Sequence, residues 1–223
     1  MPNPTIYGHP FAMYCWKVYI ALRERGVTYE TAMVDPDHAE NTAFVNAASP
    51  MGQFPVLDHE GRIVVESDPI IEYLDLAFPG TAPMVPEDRM AAIEARQMAG
   101  IFDDYVAGPL QQMVFEKLRP VGAKDPHGVE TSKAALERTY RWLDKWMDGR
   151  TWAANETFGI AECAAGPALF YSHWAVAMPD DCTNLRAYHR RLLDHPSIAS
   201  VIDDARLMRD FFPLKGERDP DVS

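Results

Sequence analysis

The pattern of hydrophobic and polar residues changes character near residue 80. Before that point, strand-like and helix-like patterns alternate. Residues 5–7 form a short apolar run that predicts a strand, followed by a loop at residues 8–10. An amphipathic helix that stops near Gly26 is then predicted from apolar residues at i, i+3, i+4 and i+7, namely Cys15, Val18, Tyr19 and Leu22.

The same alternation continues through a hairpin to a third helix. Residues 28–34 predict a second strand, and a short helix through Phe44 ends before residues 49–52. Apolar runs at 54–57 and 63–65 flank a turn with Gly61, which is typical of a β-hairpin. A helix opens after Asp68, with Pro69 suited to its first position. The predicted order is β-α-β-α-β-β-α.

After a proline-containing linker at 81–86, the pattern predicts helices alone. The first runs from Glu87 to about Leu118 with a kink at Gly108 and Pro109, and four more are predicted over 130–147, 160–176, 185–193 and 198–207. We therefore expect an α/β domain over residues 1–80 and an all-helical domain over 87–223. Residues 158–178 approach the length of a membrane span, but their polar residues predict a buried core helix.

Charge and cysteine usage narrow the class of protein. The chain has 33 acidic and 21 basic residues among 223, a net charge of −12, which argues against nucleic acid and anionic membranes as partners. Cys15, Cys163 and Cys182 are far apart, which predicts neither a disulfide framework nor a zinc site. The histidines show no metal-ligand spacing, so we expect no metal. The chain starts without a secretory signal pattern, and we expect a cytoplasmic protein.

Two short motifs offer binding chemistry. Pro55 lies inside an apolar strand run, which indicates either a plain edge strand or a cis Phe54–Pro55 bond that presents the Phe54 backbone to a bound peptide. Glu66 and Ser67 end a strand and open a helix, where they either cap the helix or hold the ammonium and carboxylate of an amino acid.

Together with the element order and the helical second half, these motifs resemble the glutathione transferase superfamily over nearly the whole chain. The resemblance implies a thioredoxin-like N-terminal domain, an all-helical C-terminal domain and glutathione as co-substrate. It also implies that Pro55 is cis, that Phe54 pairs with the tripeptide, and that Glu66 and Ser67 hold its γ-glutamyl end. Gln53 matches a position near the glycine end of the ligand.

The start of the predicted buried helix at 158–162 resembles the family only in part. Gly159 stands where the family has a capping Ser or Thr, and Glu162 stands where it has Asp. We therefore expect other contacts to stabilise this helix start.

The first loop departs from the family at the residue that activates the thiol. Ala12 stands where many bacterial and theta-like members have Ser or Cys. Lowering a thiol pKa from ~8.5 by two units needs about 2.7 kcal/mol. A helix N-terminus contributes ~0.3 to 2 kcal/mol and one hydrogen bond to a charged acceptor ~1.5 to 3. Ionisation of the thiol therefore needs a second stabilising group besides the first helix.

Tyr7 and Tyr14 are the candidate catalytic residues that would supply this stabilisation, and for each of them a packing role is the alternative. His9 is a weaker candidate. Cys15 is weakest, since it falls on the apolar face of the first helix.

The expected activity is thiolate attack on a small apolar electrophile in a dimeric detoxification enzyme. We expect the electrophile pocket to come from the second domain, where the candidate wall residues are Met98, Phe102, Tyr105, Met113 and Phe115. Asp103 and Asp104 are candidates for the ligand amine, with a solvated helix face as the alternative. Residues 38–41 are candidates for its glycine carboxylate, although Glu40 would repel it. A non-catalytic binding protein, or a glutathione-dependent reductase, isomerase or ether-cleaving enzyme, remains an alternative function.

Overall fold

The first part of the chain folds into a mixed four-stranded sheet between helices. A computed structural model describes residues 2–79, 82–215 and 220–221. The sheet and its helices are formed by β1 (Thr5–Gly8), α1 (Met13–Glu24), β2 (Glu30–Met33), α2 (Ala39–Ala48), β3 (Val56–His59), β4 (Arg62–Val65) and α3 (Ser67–Ala77). The strand order is β2-β1-β3-β4, with β1 parallel to β2 and the other pairs antiparallel. The predicted element order and the thioredoxin-like fold class are confirmed.

Apolar side chains pack on both faces of this sheet. Ile6 and Leu57 face α1 and α3 in the main core, whereas Val34, Val45 and Val56 form a second cluster beneath α2. Alternate residues of a strand point to opposite faces, so Tyr7 lies on the α2 side, opposite to Ile6. The helix α3 begins at Ser67, two residues earlier than predicted. Pro69 is tolerated there because the N–H groups of a first turn have no partner within the helix.

The second part is helical, as predicted. Its elements are α4 (Arg89–Ile101), a π-helical segment (Phe102–Ala107), α5 (Gly108–Leu118), α6 (Pro126–Trp146), α7 (Ile160–Ala175), α8 (Thr183–Leu193) and α9 (Pro196–Ala205), with short 3-10 turns at Val121–Ala123 and Arg206–Phe211. The irregularity predicted at Gly108 and Pro109 lies instead in the six preceding residues. In this segment Phe102 and Val106 both stay in the core while Asp103 faces the first part of the chain.

The helix α7 lies at the centre of the molecule and packs against α1. Every residue from Ile160 to Trp174 is buried, which confirms the predicted core helix. In residues 2–79, 82–215 and 220–221, no helix is both long and apolar enough to cross a bilayer.

The linker between the two parts is held by buried charges. The Asp75 carboxylate accepts hydrogen bonds from the backbone N–H groups of Met84 and Val85 at 2.9 and 3.0 Å, and pairs with Arg25 at 2.7 Å. The predicted end of the first domain at Gly80 lies outside the described residues. The Met84 carbonyl then accepts from Ile160 at the start of α7, at 2.9 Å.

The close approach of the Met84 carbonyl explains why this chain has Gly159 where the family has a capping Ser or Thr. A Cβ added to Gly159 would lie 2.7 Å from the Met84 oxygen, which is backbone and cannot move aside. The Glu162 carboxylate ties this helix start to its surroundings in another way, because it accepts from the backbone N–H groups of Gly159 and Ala153 and from the Tyr188 hydroxyl. These hydrogen bonds are the contacts that we expected from the sequence to stabilise this helix start.

Gly159→Ser is therefore expected to destabilise the protein, although serine is the better helix cap. We expect a loss of about 2 kcal/mol in the free energy of unfolding, from overpacking against the linker. Urea unfolding measures this loss. Gly100→Ala is the matched control, since a Cβ there meets nothing within 4 Å and alanine favours the helix. Equal stability of Gly159→Ser and the wild type would contradict the steric explanation.

His189 on α8 makes the stability depend on pH. Its ring is buried beside His173, with centroids 5.2 Å apart, and within the described chain neither His189 nitrogen has a hydrogen-bond partner. Burial, followed by the charges of His173, Arg190 and Arg186, lowers its pKa to about 3. Below pH 6.5 the unfolded chain binds a proton here that the folded chain does not, so stability falls as pH falls.

His189→Leu is expected to remove this dependence. At pH 5 the variant should exceed the wild type by about 2 kcal/mol more than it does at pH 8. Urea unfolding at both pH values measures the difference, and His127→Leu, at an exposed site, controls for the loss of one histidine. Parallel pH dependence of His189→Leu and the wild type would exclude this role.

Candidate functional site

A cleft of about 880 Å³ lies between the two parts of the chain. Its sheet-side wall is formed by Ala12, Met13, Tyr14, Gly52, Gln53, Phe54, Pro55, Glu66, Ser67, Asp68 and Pro69. Its helical wall is formed by Asp103, Asp104, Gln111, Val114 and Phe115. The cleft thus contains the predicted binding residues 12, 53–55, 66 and 67.

The floor of the cleft is the segment that leads into β3. The Phe54–Pro55 peptide bond is cis. The backbone N–H of Gln53 donates to Ser49 Oγ at 3.1 Å, and Gly52 adopts φ +62°, which turns the chain from α2 into the strand. These contacts hold Gln53, Phe54 and Pro55 at one edge of the cleft.

The start of α3 supplies the polar end of the cleft. Glu66 precedes the helix with φ 70°, a region that a residue with a side chain adopts only under constraint. Ser67, the first residue of α3, is 7% exposed. The N–H groups of its first turn carry the positive end of the helix dipole. Glu66 and Ser67 therefore present an acceptor and a group of donors side by side.

The first loop is held by side chains from two helices. The Trp16 indole N–H donates to the Pro10 carbonyl at 2.6 Å, and the Tyr171 hydroxyl on α7 donates to the Phe11 carbonyl at 3.0 Å. Ala12 is the N-cap of α1 and makes no side-chain capping bond. The first turn of α1 therefore brings its N–H groups to the cleft wall at Met13 and Tyr14.

The two candidate tyrosines lie on different sides of the sheet. Tyr14 lines the cleft, and burial, followed by nearby carboxylates of which Asp103 has the largest effect, raises its pKa to about 12. It therefore remains a protonated hydrogen-bond donor at neutral pH. Tyr7 stacks on Phe44 of α2, with ring centroids 4.1 Å apart, and is not among the residues that line the cleft.

The two weaker candidates are engaged elsewhere. His9 Nδ1 accepts from the Phe11 backbone N–H at 3.1 Å within the first loop, and burial lowers its pKa. Cys15 is fully buried, which raises its pKa to about 12. The prediction of an inert buried thiol at Cys15 is confirmed.

A buried ion cluster behind the cleft was missed by the sequence analysis. Lys17 Nζ lies 2.6 Å from Asp68 Oδ1 and also contacts Asp103 Oδ2, and its side chain is 1% exposed. Burial lowers the pKa of Lys17, but the two carboxylates outweigh this effect and the pKa is raised. The available signal was a lysine between Trp16 and Val18 in an otherwise apolar stretch of α1.

Asp103 is an acid of this cluster with a perturbed pKa. Burial is the largest effect on it and raises its pKa to about 6, with Asp68 and Asp104 adding to the rise and Lys17 opposing it. Asp103 and Asp104 both line the cleft. Asp103 is therefore an ion-pair partner and does not belong to a solvated helix face.

An apolar side pocket of about 240 Å³ opens beside the cleft. It is lined by Phe11, Met13, Leu110, Gln111, Val114, Phe115, Tyr171, Phe211, Phe212 and Pro213. Four of these residues also line the cleft, so the two cavities adjoin.

Most of the wall residues expected from sequence lie elsewhere. Met98, Phe102 and Met113 are core residues, Tyr105 is 59% exposed, and Phe115 lines the pocket. Periodicity marks a helix face as apolar, but it does not say which neighbour covers that face.

Residues 38–41 do not line the cleft. The His38 ring contacts the Asp35 carboxylate at 2.7 Å, and the Asn41 amide donates to the Met33 carbonyl at 2.8 Å. These contacts hold the turn before α2, and the expected approach of this segment to a ligand carboxylate stays a prediction.

Comparisons with known proteins agree with this arrangement. Residues 6–82 match the family model described as "Glutathione S-transferase, N-terminal domain". The chain is 23% identical over 201 residues to Glutathione S-transferase 3 of Glycine max, with 87% of each chain covered. It is 25% identical over 191 residues to the Stringent starvation protein A homolog of Coxiella burnetii, covering 85% of this chain and 86% of that protein.

A solved structure matches over both parts of the chain. It is a glutathione S-transferase from Methylobacillus flagellatus KT with glutathione bound, at TM-score 0.79 and 26% identity, covering 89% of this chain and 98% of that one. The match to the N-terminal domain model, the relatives over most of the chain and this shared two-part fold lead to one conclusion. Residues 6–82 match the glutathione S-transferase N-terminal domain, and the chain as a whole has the two-part fold of glutathione S-transferases.

Proposed function

We propose that this protein is a glutathione transferase that binds glutathione in the cleft and promotes attack of its thiolate on a small apolar electrophile. The observation that carries the proposal is the convergence of Phe54, Glu66 and Ser67 with the N-terminus of α1 in one cleft. These residues offer complementary groups to an amino-acid head, a peptide backbone and a thiol.

Each part of the tripeptide has a complementary group. The Glu66 carboxylate accepts from the ligand ammonium, and the Ser67 hydroxyl donates to its α-carboxylate together with backbone N–H groups of α3. The backbone N–H and carbonyl of Phe54 pair with the cysteinyl unit as an added strand would. The Gln53 amide serves the glycine end.

The thiol is activated by α1 and Tyr14. Ala12 has no hydroxyl to donate, so the positive end of the α1 dipole and the Tyr14 hydroxyl supply the stabilisation. Together, a helix N-terminus and one hydrogen bond to a charged acceptor provide roughly 2 to 5 kcal/mol. That range covers the ~2.7 kcal/mol needed to lower a thiol pKa by two units.

The adjoining apolar pocket places the electrophile. Its aromatic and aliphatic walls favour an apolar molecule and exclude water from the reacting sulfur. With an aryl halide, the thiolate forms the new bond to carbon and the halide departs with its electron pair. With an epoxide or enone, the displaced electron pair stays on the product, which takes up a proton from solvent. The proposal includes a detoxification role in the cytoplasm.

A homodimer is part of the proposal. Among the described residues, α3 and α4 carry large apolar side chains that are strongly exposed: Leu76 at 83%, Met90 at 71% and Ile93 at 55%. The two helices are bridged by Glu72 and Arg96 at 2.7 Å. Apolar side chains on neighbouring helices favour burial against a second copy.

Calorimetry with glutathione, followed by turnover with a panel of aryl halides, epoxides and enones, tests the function. We expect saturable binding and thiol consumption above the uncatalysed rate. Absence of binding heat at millimolar glutathione would remove the basis of the proposal.

Tyr14→Phe is expected to reduce turnover by about tenfold or more, because the thiolate loses a hydrogen bond worth ~1.5 to 3 kcal/mol. The pKa of the bound thiol, followed by thiolate absorbance, should rise by about one unit. Tyr7→Phe is the competing variant. If it alone raises the thiol pKa, activation belongs to Tyr7.

A non-catalytic glutathione-binding protein is the second candidate function, and Ala12 is the observation that favours it. Binding of glutathione without thiol consumption on any electrophile, including peroxides, would support it. A glutathione-dependent reductase or isomerase would instead be revealed by a product that does not retain the tripeptide.

A further inference from the structure

The charged residues that line the cleft all have the same sign. Glu66, Asp68, Asp103 and Asp104 are acidic, and none of the described lining residues is basic. Glutathione carries one net negative charge, and ionisation of its thiol adds another. A ligand of the same sign as its site requires a nearby countercharge, because like charges in a desolvated cleft disfavour the ionised form.

Lys17 is a cation in contact with two of these acids. It rises from the second turn of α1, with its ammonium beneath the cleft wall in contact with Asp68 of α3 and Asp103 of the π-helical segment. Its Nζ also lies 5.8 Å from the centroid of the Tyr14 ring, which faces the cleft. One buried ammonium therefore joins the three elements that form the polar half of the cleft.

We propose that Lys17 is a positioning residue for the transferase reaction: it neutralises Asp68 and Asp103 from behind the cleft, so that a bound glutathione ionises its thiol beside Tyr14. The inference rests on the proposed function. Lys17 is too buried to contact the ligand and acts through its two carboxylate partners. The thiol proton leaves to solvent, and no covalent step involves Lys17.

The geometry supports an electrostatic role in addition to a structural one. A surface ion pair would be screened by water, but Lys17 is 1% exposed and its partners are 34% and 21% exposed at the cleft. The neutral Tyr14 hydroxyl is influenced by Asp103, Asp104, Asp68 and Glu66. The charges that act on Asp103 are Lys17 from α1, Asp68 from the start of α3 and Asp104 from its own segment. Removing Lys17 leaves this group with no positive member among the described residues.

The test measures the pKa of the thiol in protein saturated with glutathione, from thiolate absorbance across pH. Lys17→Met is expected to raise this pKa by about one unit, and Asp103→Asn to lower it by about half a unit. The double variant should lie between the two. Such opposite shifts follow from charge and not from packing, because both single substitutions break the same contact.

The control is Arg141→Met, which removes a cation from an exposed pair with Asp181 that does not line the cleft. It should leave the thiol pKa unchanged. Steady-state kinetics separate the effect on glutathione binding from the effect on turnover. Lys17→Met is expected to raise KM for glutathione about tenfold and also to lower kcat at neutral pH.

The outcomes separate this inference from the function itself. If the wild type does not bind glutathione, the proposed function and this inference both fail. If the wild type binds and Lys17→Met lowers Tm without moving the thiol pKa, Lys17 is only a structural tie and the inference is overturned. If Lys17→Met does not fold, Asp103→Asn decides, and a thiol pKa equal to that of the wild type overturns it.

Discussion

Ser67→Ala is expected to weaken glutathione binding by about ten- to a hundredfold, which corresponds to a charge-assisted hydrogen bond of ~1.5 to 3 kcal/mol. Within the described part of the chain, the start of α3 has no side-chain capping bond, and Ser67 lines the cleft. Its hydroxyl is therefore available to the ligand carboxylate. Titration calorimetry of the purified variant measures the change in affinity.

The stability of Ser67→Ala distinguishes this role from helix capping. We expect its free energy of unfolding to stay within about 0.5 kcal/mol of the wild type. Thr131→Ala is the matched control, because that hydroxyl bonds the His127 carbonyl within its own helix and does not line the cleft. Weaker folding with unchanged glutathione affinity would assign Ser67 to capping.

Glu162→Ala is expected to lower the free energy of unfolding by about 3 to 5 kcal/mol. The fully buried carboxylate accepts from Ala153 N–H at 2.8 Å, Gly159 N–H at 3.0 Å and the Tyr188 hydroxyl at 3.1 Å. Truncation leaves all three donors without an acceptor inside the protein. Urea unfolding at constant pH gives the magnitude.

Glu162→Gln is the control, because its amide oxygen keeps one acceptor and nearly the same volume. Burial raises the pKa of Glu162 to about 7, although the three donors oppose the rise, so a neutral side chain is expected to cost less, about 1 to 2 kcal/mol. A loss below 1 kcal/mol in Glu162→Ala would mean that water replaces the carboxylate and that the network does not hold α7.

The fold class could be predicted because its signals are local. Short apolar runs bounded by turn residues identified the strands, and apolar spacing of three and four identified the helices; the observed elements differ mainly at their ends. The π-helical segment at Phe102–Ala107 was not predicted, since its buried residues Phe102 and Val106 keep the four-residue apolar spacing of an ordinary helix.

Only part of the candidate site could likewise be predicted from the sequence. The segments around Phe54 and around Glu66 and Ser67 could be identified because each combines a strand end with a residue of special backbone or capping chemistry. Which tyrosine faces the cleft could not be decided, because it depends on which side of the sheet α2 occupies. Tyr7 meets Phe44 there, while Tyr14 opens to the cleft.

The sequence by itself determined the order of strands and helices, the two-part organisation and the peptide-binding motifs, because periodicity and turn chemistry act between residues close in the chain. Only the tertiary structure decided that Lys17 meets Asp103, 86 residues away, and that Gly159 lies against the Met84 carbonyl. Such contacts depend on the packing of α1, α7 and the linker. That packing arises from the whole core and leaves no local pattern along the chain.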